Sequence, residues 1–486
     1  MASTSQMPGR AWTPRTVIWL ALVALLAPAT GRAQGTPLSQ LLPELLGNTI
    51  TLVPSNLPDQ PLHVAHFRPG SDQLQVPIQV NEALVTLLST YPTGTPAGGF
   101  TYIFDPALGT LTRSSDSFGP SFAERALTTG RGKADVGFGY QHTAYDTFEG
   151  LNLRQREITF YIPHTDCCTR GAAAESVPDG SRLTPAFEGD LIEAALSLRL
   201  VSDTSTLFAS YGVSDRLDIG VAIPFVRVQL DGSVLARIQR LATSDEPTVH
   251  SFEGSDPDRR LFRLAGTAAG LGDIVLRSKY AFTSQSALGF AAAVEARVPT
   301  GDENNLLGTG GVQTKIVGIA SLHRGPVSPH VNVGYTFSTK GGLPRAVLHD
   351  EIVATAGADV AITSRMTMSF DVLGRVLRGA GRMRLAEKSF EFATAGSGAG
   401  GGGGAGGGGA GGGGGGGRPQ PAPDVQAVTR TELQFSPGNL QLYLGAASVR
   451  FNPWRALLVS ASLLFPLTDS GLRDRVTPAV GIDYVF

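Results

Sequence analysis

Four potential metal or redox ligands fall within five residues: His164, Asp166, Cys167 and Cys168. Structural zinc sites usually space their paired cysteines by two or more residues, so this run fits poorly. Adjacent cysteines can instead join as a vicinal disulfide. Metal ligation, a Cys167–Cys168 disulfide and a plain loop all stay open; the loop is favoured and no metal is assigned. Asp302-Glu303-Asn304-Asn305 offers hard oxygens but lacks the spaced ligands of a calcium loop, and reads as a solvated turn. The 8 histidines are scattered. Neither H-E-x-x-H nor G-x-S-x-G occurs, so neither a zinc protease nor a nucleophile elbow can be argued. No catalytic residue and no cofactor is assigned. The chain reads as a non-enzyme, with an outer-membrane hydrolase the weakest rival.

Other charges alternate with apolar residues and so could share a surface. Asp273, Arg277 and Lys279 fall opposite Ile274, Leu276, Tyr280 and Phe282 on one strand. Glu295 and Arg297 alternate with Val294, Ala296 and Val298. If residues 283–286 turn the chain, Asp273 comes near Arg297, and Arg277 lies diagonal to Glu295. Glu193, Arg199 and Asp218 would join from neighbouring strands. Such charges could line a pore that filters or binds solutes. They could equally form an ion-pair web that stiffens a barrel wall. Both roles need a sheet closed around the charged face.

The elements that would position them are strands. Leu217, Ile219, Val221, Ile223 and Phe225 share one face, opposite Asp218, Gly220 and Ala222. Val331, Val333, Tyr335 and Phe337 oppose His330, Asn332, Gly334 and Thr336. A β-sandwich also alternates, but connection lengths separate the two folds. Tight turns near 214–215, 284–286, 324–325, 364–365 and 452–453 alternate with long connections near 231–270, 300–311, 339–347, 378–438 and 468–474. Outer-membrane barrels have short periplasmic turns and longer extracellular loops. The expectation is an all-β transmembrane antiparallel barrel over residues 131–486, of about fourteen strands within a range of 12–16. Among those strands are 154–163, 190–201 and 203–213. The 164–189 connection breaks the alternation, being long where a short turn is due.

The two ends of the sequence agree with export to a membrane. Val480, Ile482, Tyr484 and Phe486 share one face of the last strand, a C-terminal aromatic pattern read as the assembly signal of an outer-membrane barrel. Near the start, Arg10 and Arg15 precede the apolar run 17–28, and Gly31-Arg32-Ala33 supplies small residues at a cleavage site. Residues 1–33 therefore read as a secretory signal peptide, too short in its apolar part to span a bilayer. Charged residues make up 16% of the chain and the net charge is −2. That is low for a large soluble surface but suits one with a lipid-facing band, and it gives no sign of nucleic-acid binding. Residues 34–130 are an N-terminal segment that plugs the lumen or extends into the periplasm, with partial insertion favoured. Leu41-Leu42 and Leu45-Leu46 suggest a short helix, and 100–113 a hairpin. Residues 396–417, almost pure glycine, read as an insertion in an extracellular loop.

Three phrases carry a resemblance: YGVSDRLDIGVAIP from Tyr211, GLGDIVLRSKY from Gly270 and RVPTGD from Arg297. They resemble outer-membrane barrels of the meta-pathway phenol-degradation transporter family, best over 206–340. The resemblance implies a barrel that takes up small hydrophobic compounds, and supplies no site residues. Nothing in 34–130 matches the N-terminal hatch of the long-chain fatty-acid channels to which that family is similar. The resulting expectation is a monomeric channel in the Gram-negative outer membrane, passing small hydrophobic or amphipathic solutes by passive or facilitated diffusion. Its partners would be membrane lipid and the barrel-assembly machinery. The alternative is a structural or surface-display barrel with a blocked lumen.

Overall fold

The computed structural model describes residues 36–53, 67, 80–84, 87–88, 101–105, 110–113, 115–164, 189–241, 250–283, 287–323, 325–339, 348–394 and 424–486. The leader, Asp166, the Cys167–Cys168 pair and the glycine tract lie outside the described residues.

Period-2 sequences give each strand two unlike faces, and here the polar face is the buried one. Val333 is 56% exposed, whereas Asn332 beside it is 8% exposed. The strands are β1 (Ala134–Tyr145), β2 (Ile158–Pro163), β3 (Leu191–Gly212), β4 (Leu217–Gln239), β5 (Arg259–Leu271), β6 (Ile274–Ala281), β7 (Leu288–Val298) and β8 (Gln313–Leu322). They continue as β9 (Val327–Ser338), β10 (Glu351–Thr363), β11 (Met366–Leu377), β12 (Arg382–Thr394), β13 (Asp424–Ser436), β14 (Leu440–Trp454), β15 (Leu457–Pro466) and β16 (Thr477–Val485).

Fourteen of these strands belong to one antiparallel sheet. Twelve close a ring in the order β3-β1-β16-β15-β14-β11-β10-β9-β8-β7-β6-β4 and back to β3. Closure pairs the last strand with the first, Ile482 opposite Phe138, so the ring has no free edge. The outer face is apolar around the ring: Phe138, Ile219, Leu276, Val294, Ile316, Val331, Phe370, Val459 and Val480 are all exposed. Tyr280, Phe282, Phe451, Trp454 and Phe486 are exposed near the short turns, where an aromatic girdle belongs. A closed barrel with an apolar belt and a polar interior is a transmembrane barrel of the bacterial outer membrane.

β3 and β4 are the exceptional strands, at 22 and 23 residues. At about 3.3 Å per residue each runs roughly 70 Å, far more than a membrane crossing needs. They rise above the ring at the long-connection end, where β2 pairs with β3 and β5 with β4. This corrects the expected boundaries. Residues 190–201 and 203–213 form one strand, because the polar run that reads as a break is accommodated. Ser202 is buried, and Asp203 on the opposite face accepts from Tyr140 Oη at 2.7 Å and lies 2.7 Å from His142 Nδ1. With one strand fewer, the 164–189 connection falls at the same end as the other long ones. Strand 154–163 becomes β2, outside the ring. Parts of the expected loops 231–270 and 378–438 are strands as well: the top of β4, β5, and the β12–β13 hairpin.

The helix α1 (Leu38–Gly47) forms where expected, as does the hairpin Tyr102–Asp105 with Thr110–Arg113. Leu38, Leu41, Leu42, Leu45 and Leu46 join the inward faces of β3 and β4 (Leu196, Leu198, Leu200, Val228, Leu230, Val234) in one apolar cluster. Glycines let the helix approach the sheet: a Cβ at Gly266 would stand 2.6 Å from Leu38 Cδ2.

Candidate functional site: the lumen

The interior has three levels. At the long-connection end, α1 fills it with the apolar cluster just described. At the short-turn end, residues 115–131 cross it as a strap without helix or strand. Between them lies a chamber with room for water of about 220 Å³.

A strap without regular structure has no internal partners for its backbone, so the wall must supply them. Phe118 N–H donates to Thr367 Oγ1 at 2.9 Å, and Arg450 donates to Phe118 O at 2.9 Å. Asn332 reads both sides of Glu124, accepting from its N–H at 2.8 Å and donating to its carbonyl at 2.9 Å. Ala126 N–H donates to Ser321 Oγ at 2.9 Å, Lys279 Nζ to Leu127 O at 2.6 Å, and Thr129 N–H to Asp218 Oδ2 at 2.9 Å. Charges lock two of the strap side chains that point at the wall. Glu124 pairs with Arg277 and lies 4.0 Å from Lys279. Arg125 stands 3.9 Å from Asp359, which also accepts from Ser117 Oγ. Behind Asp359, His330 bridges two carboxylates: Nδ1 is 3.4 Å from Asp359 Oδ1 and Nε2 is 2.6 Å from Asp371 Oδ1.

The chamber is lined by apolar groups (Phe122, Phe208, Val317, Val353, Leu373) and by Arg277, Glu295, Arg297, Lys315, Glu351 and Arg375. Its charges are cross-linked. Glu295 accepts from Arg277 Nε at 3.2 Å and also pairs with Lys315. Arg375 grips Glu351 through two bonds, at 3.1 and 2.7 Å. Such a wall can order water and take a polar head while its apolar side takes a hydrophobic body.

The candidates named from sequence therefore separate. Arg277, Lys279 and Asp218 hold the strap, and Glu295 and Arg297 line the chamber. Arg277 faces Glu295 directly rather than diagonally, and Arg297 sits opposite Val275. The register is two residues off the expected one, which leaves every side chain on its expected face. Asp273 is buried and does not line the chamber; with Arg297, Leu306 and Leu307 it borders a smaller cavity of about 60 Å³. It accepts from Gly301 N–H at 3.0 Å and Thr309 N–H at 2.8 Å, fixing the loop above β6. Glu193 and Arg199 do not face the lumen. They lie on the outward face of the raised part of β3, Glu193 with Arg237 at 2.6 Å and Arg199 3.9 Å from Asp231. Their neighbours Leu196, Leu198 and Leu200 take the inward positions. Val480, Ile482 and Phe486 are exposed on the outer face, and Tyr484 packs on Phe486 at 4.7 Å. Asp302 caps a short turn at 303–305, where its side chain accepts from Asn304 N–H. Among the described residues no cluster of three His, Cys, Asp or Glu is arranged to hold a metal. His330, Asp359, Asp371, Arg125, Lys315, Glu351, Arg375 and Arg450 were not singled out from sequence. For all of them but Arg125, which lies on the strap, the signal was a polar residue alternating with apolar ones along a strand.

Residues 173–451 match the family described as the putative MetA-pathway of phenol degradation, more than half of the 486 residues. A search of the curated proteins found no match. Among solved structures, an outer membrane channel from Pseudomonas putida F1 is 11% identical, with 73% of this chain and 96% of that chain covered and a TM-score of 0.39. A FadL homologue from Pseudomonas aeruginosa is 12% identical over 74% of this chain and 90% of that one, TM-score 0.25. The toluene transporter TbuX from Ralstonia pickettii is 11% identical, with 74% and 90% covered and a TM-score of 0.27.

Proposed function

The chain belongs to the family described as the putative MetA-pathway of phenol degradation, and from that premise we propose that it is an outer-membrane channel for small hydrophobic or amphipathic solutes. The long connections face outwards and the short turns face the periplasm, as barrel architecture favours. The observation that carries the reading is the chamber. It sits between an apolar outer mouth and a strap, with apolar residues and paired charges around one space. A solute with an apolar body enters past α1, whose packed leucines fill the outer end, rests in the chamber, and leaves past the strap. In this reading transport is diffusive. Lipid around the belt is the barrel's solvent, and the folded unit is a monomer.

A second reading keeps the lumen shut and leaves the outer loops to carry the function. The strap and α1, one at each end, favour it. Flux of a small aromatic into vesicles containing the pure barrel separates the two. The channel reading expects uptake above protein-free vesicles and a drop when Thr355→Trp fills the chamber. Uptake equal to protein-free vesicles, with the barrel folded, would leave only the scaffold.

A further inference from the structure

Above the belt, the outward positions of β3, β4 and β5 hold Arg199, Arg227, Arg237, Arg259 and Arg263, against the acids Glu193, Asp203 and Asp231. The acids are engaged. Glu193 lies 2.6 Å from Arg237, Asp231 lies 3.9 Å from Arg199, and Asp203 bonds Tyr140 and His142. In the turn that precedes β5, Asp256 accepts from Asp258 N–H, Asp258 pairs with Arg240, and Glu253 pairs with Arg260. Arg259 and Arg263 are exposed and form no ion pair among the described residues. Register sharpens this imbalance. Arg259 stands directly opposite Arg237, and like charges so placed destabilise a sheet unless an anion lies between them. Glu193 stands on the far side of Arg237, on β3. Leu261, 38% exposed, lies between Arg259 and Arg263 on the same face, opposite Leu235.

Height decides which anion can reach this patch. The belt ends at the row Tyr140, Ser205, Phe225 and Leu271, which stand opposite one another on β1, β3, β4 and β5. There the Tyr140 hydroxyl donates to Asp203 in the row above. Arg263 and Arg259 lie further along β5 from Leu271. At about 3.3 Å per residue and a tilt of roughly 40°, they stand about 20 and 30 Å above that row. Ordinary headgroups extend only about 5–8 Å beyond the hydrocarbon. A phospholipid phosphate therefore stops well short of both arginines. The outer leaflet of a bacterial outer membrane is built instead from lipopolysaccharide, whose headgroup is a tall stack of sugars carrying phosphate.

We propose that this face of the raised sheet docks the core sugars of lipopolysaccharide, with Arg237, Arg259 and Arg263 holding a core phosphate. Guanidinium groups match phosphate oxygens in forked pairs. The phosphate relieves the Arg237–Arg259 repulsion, and Leu235 with Leu261 gives the apolar C–H face of a sugar ring a surface to rest on. The length of β3 and β4 acquires a purpose: they raise a wall through the sugar layer that surrounds the barrel. The site holds whether or not the lumen conducts.

The test mixes the barrel, refolded into detergent without lipid, with three glycolipids. These are lipid A alone, lipopolysaccharide with a phosphorylated core, and the same lipopolysaccharide made without phosphate on its core sugars. Native mass spectrometry counts the glycolipid bound to each barrel. The phosphorylated core should bind at about tenfold lower concentration than the other two, the low end for a hydrogen bond to a charged group because the site is exposed. High salt should shrink that preference. Arg259→Gln combined with Arg263→Gln should erase it while the heat-modifiable band still shows a folded barrel. Arg216→Gln combined with Arg365→Gln removes the same charge from the short turns and should leave it intact. Equal binding of the phosphorylated and unphosphorylated cores would overturn the site. So would a preference that survives the first double variant, or one lost equally in the second. Lipid A binding as tightly as the phosphorylated core would move the contact down to headgroup level and refute the assignment. The comparison of lipids uses the wild-type chain, so it decides the matter even if a variant misfolds. Binding is read without flux, so this site and the channel stand or fall separately.

Discussion

Residues 355 and 356 sit side by side near the middle of β10 and should respond oppositely to the same substitution. Ala356 is exposed on the outer face, paired with Val331 on one side and Val372 on the other. Those two valines are 49% and 48% exposed, in the middle of the belt. Thr355 is paired with Asn332 and Leu373 and lines the chamber. An arginine on the lipid face at the midplane costs about 2–4 kcal/mol, or roughly a 30- to 900-fold loss in the folded-to-unfolded ratio. Ala356→Arg should show that loss. Thr355→Arg places its guanidinium in a wet chamber with Glu351 and Glu295 on the wall, and should cost less than about 1 kcal/mol. Urea titration of barrels refolded into lipid vesicles, read by the heat-modifiable gel band, measures both. Equal costs at 355 and 356, or an unchanged midpoint for Ala356→Arg, would refute the assignment of faces. The pair at 293 and 294 is a less clean control. Val294→Arg repeats the lipid-face cost, but Ala293 points into a small cluster with Ala126 of the strap and Val317. Arginine there collides with the strap rather than meeting water.

Glu124→Gln removes the carboxylate that Arg277 and Lys279 share; leaving those buried cations short of a partner should loosen the strap and raise single-channel conductance in planar bilayers. Unchanged conductance would mean the strap is held by its backbone bonds alone. Deleting Phe486 removes the exposed aromatic that packs on Tyr484 and should reduce the folded band in assembly assays; normal assembly would argue against the terminal signal. Burial, reinforced by the charge of Arg125, holds His323 in the β8–β9 turn down at about 4. From pH 6.5 to 4 the unfolded chain gains a proton there that the folded chain refuses, so stability should fall across that window and level off below it. His323→Gln should flatten this part of the profile, and an identical slope in the variant would dismiss His323 as its source.

Much of the wall was legible because lipid outside and water inside force a strict period of two. That is why a register error at β6–β7 left Arg277, Glu295 and Val294 on their correct faces. Strand ends were harder. Ser202 to Ser205 interrupts the apolar face of β3 with four polar residues, and nothing local says that Tyr140 and His142 lie ready to bond Asp203. The tops of β4 and β5 mix the two kinds on one face, Leu235 with Arg237 and the exposed Leu261 between Arg259 and Arg263. They read as loop because a strand standing above the membrane no longer needs an apolar exterior. For the same reason Glu193 and Arg199 look like lumen charges: inside and outside exchange polarity where β3 leaves the bilayer. The strap was invisible as structure. Its positions are set by partners 87 to 332 residues away, and no local pattern encodes them.

Those partners also bound how a solute could pass. Seven wall-to-strap bonds involve the backbone of Phe118, Glu124, Ala126, Leu127 and Thr129. At a net 0.5–1.5 kcal/mol each, lifting the whole strap costs roughly 4–10 kcal/mol, a population of about one in a thousand to one in ten million. Wholesale ejection is therefore too rare to support ready diffusion. The anchors are uneven, however. Between Phe118 and Glu124, the run Gly119-Pro120-Ser121-Phe122-Ala123 is tied to the wall by Arg450 Nε to Ser121 Oγ at 3.4 Å. Proline has no N–H to satisfy, and Gly119 at φ 76° permits a turn that other residues resist. Phe122 of this run lines the chamber. Swinging 119–123 aside while the flanking anchors hold breaks one long hydrogen bond and moves one aromatic ring. If the barrel is a channel, 119–123 is the part of the strap with the fewest bonds to break, and the packing of Phe122 on Leu373, Leu444, Ala446 and Leu464 is what a passing solute would have to displace.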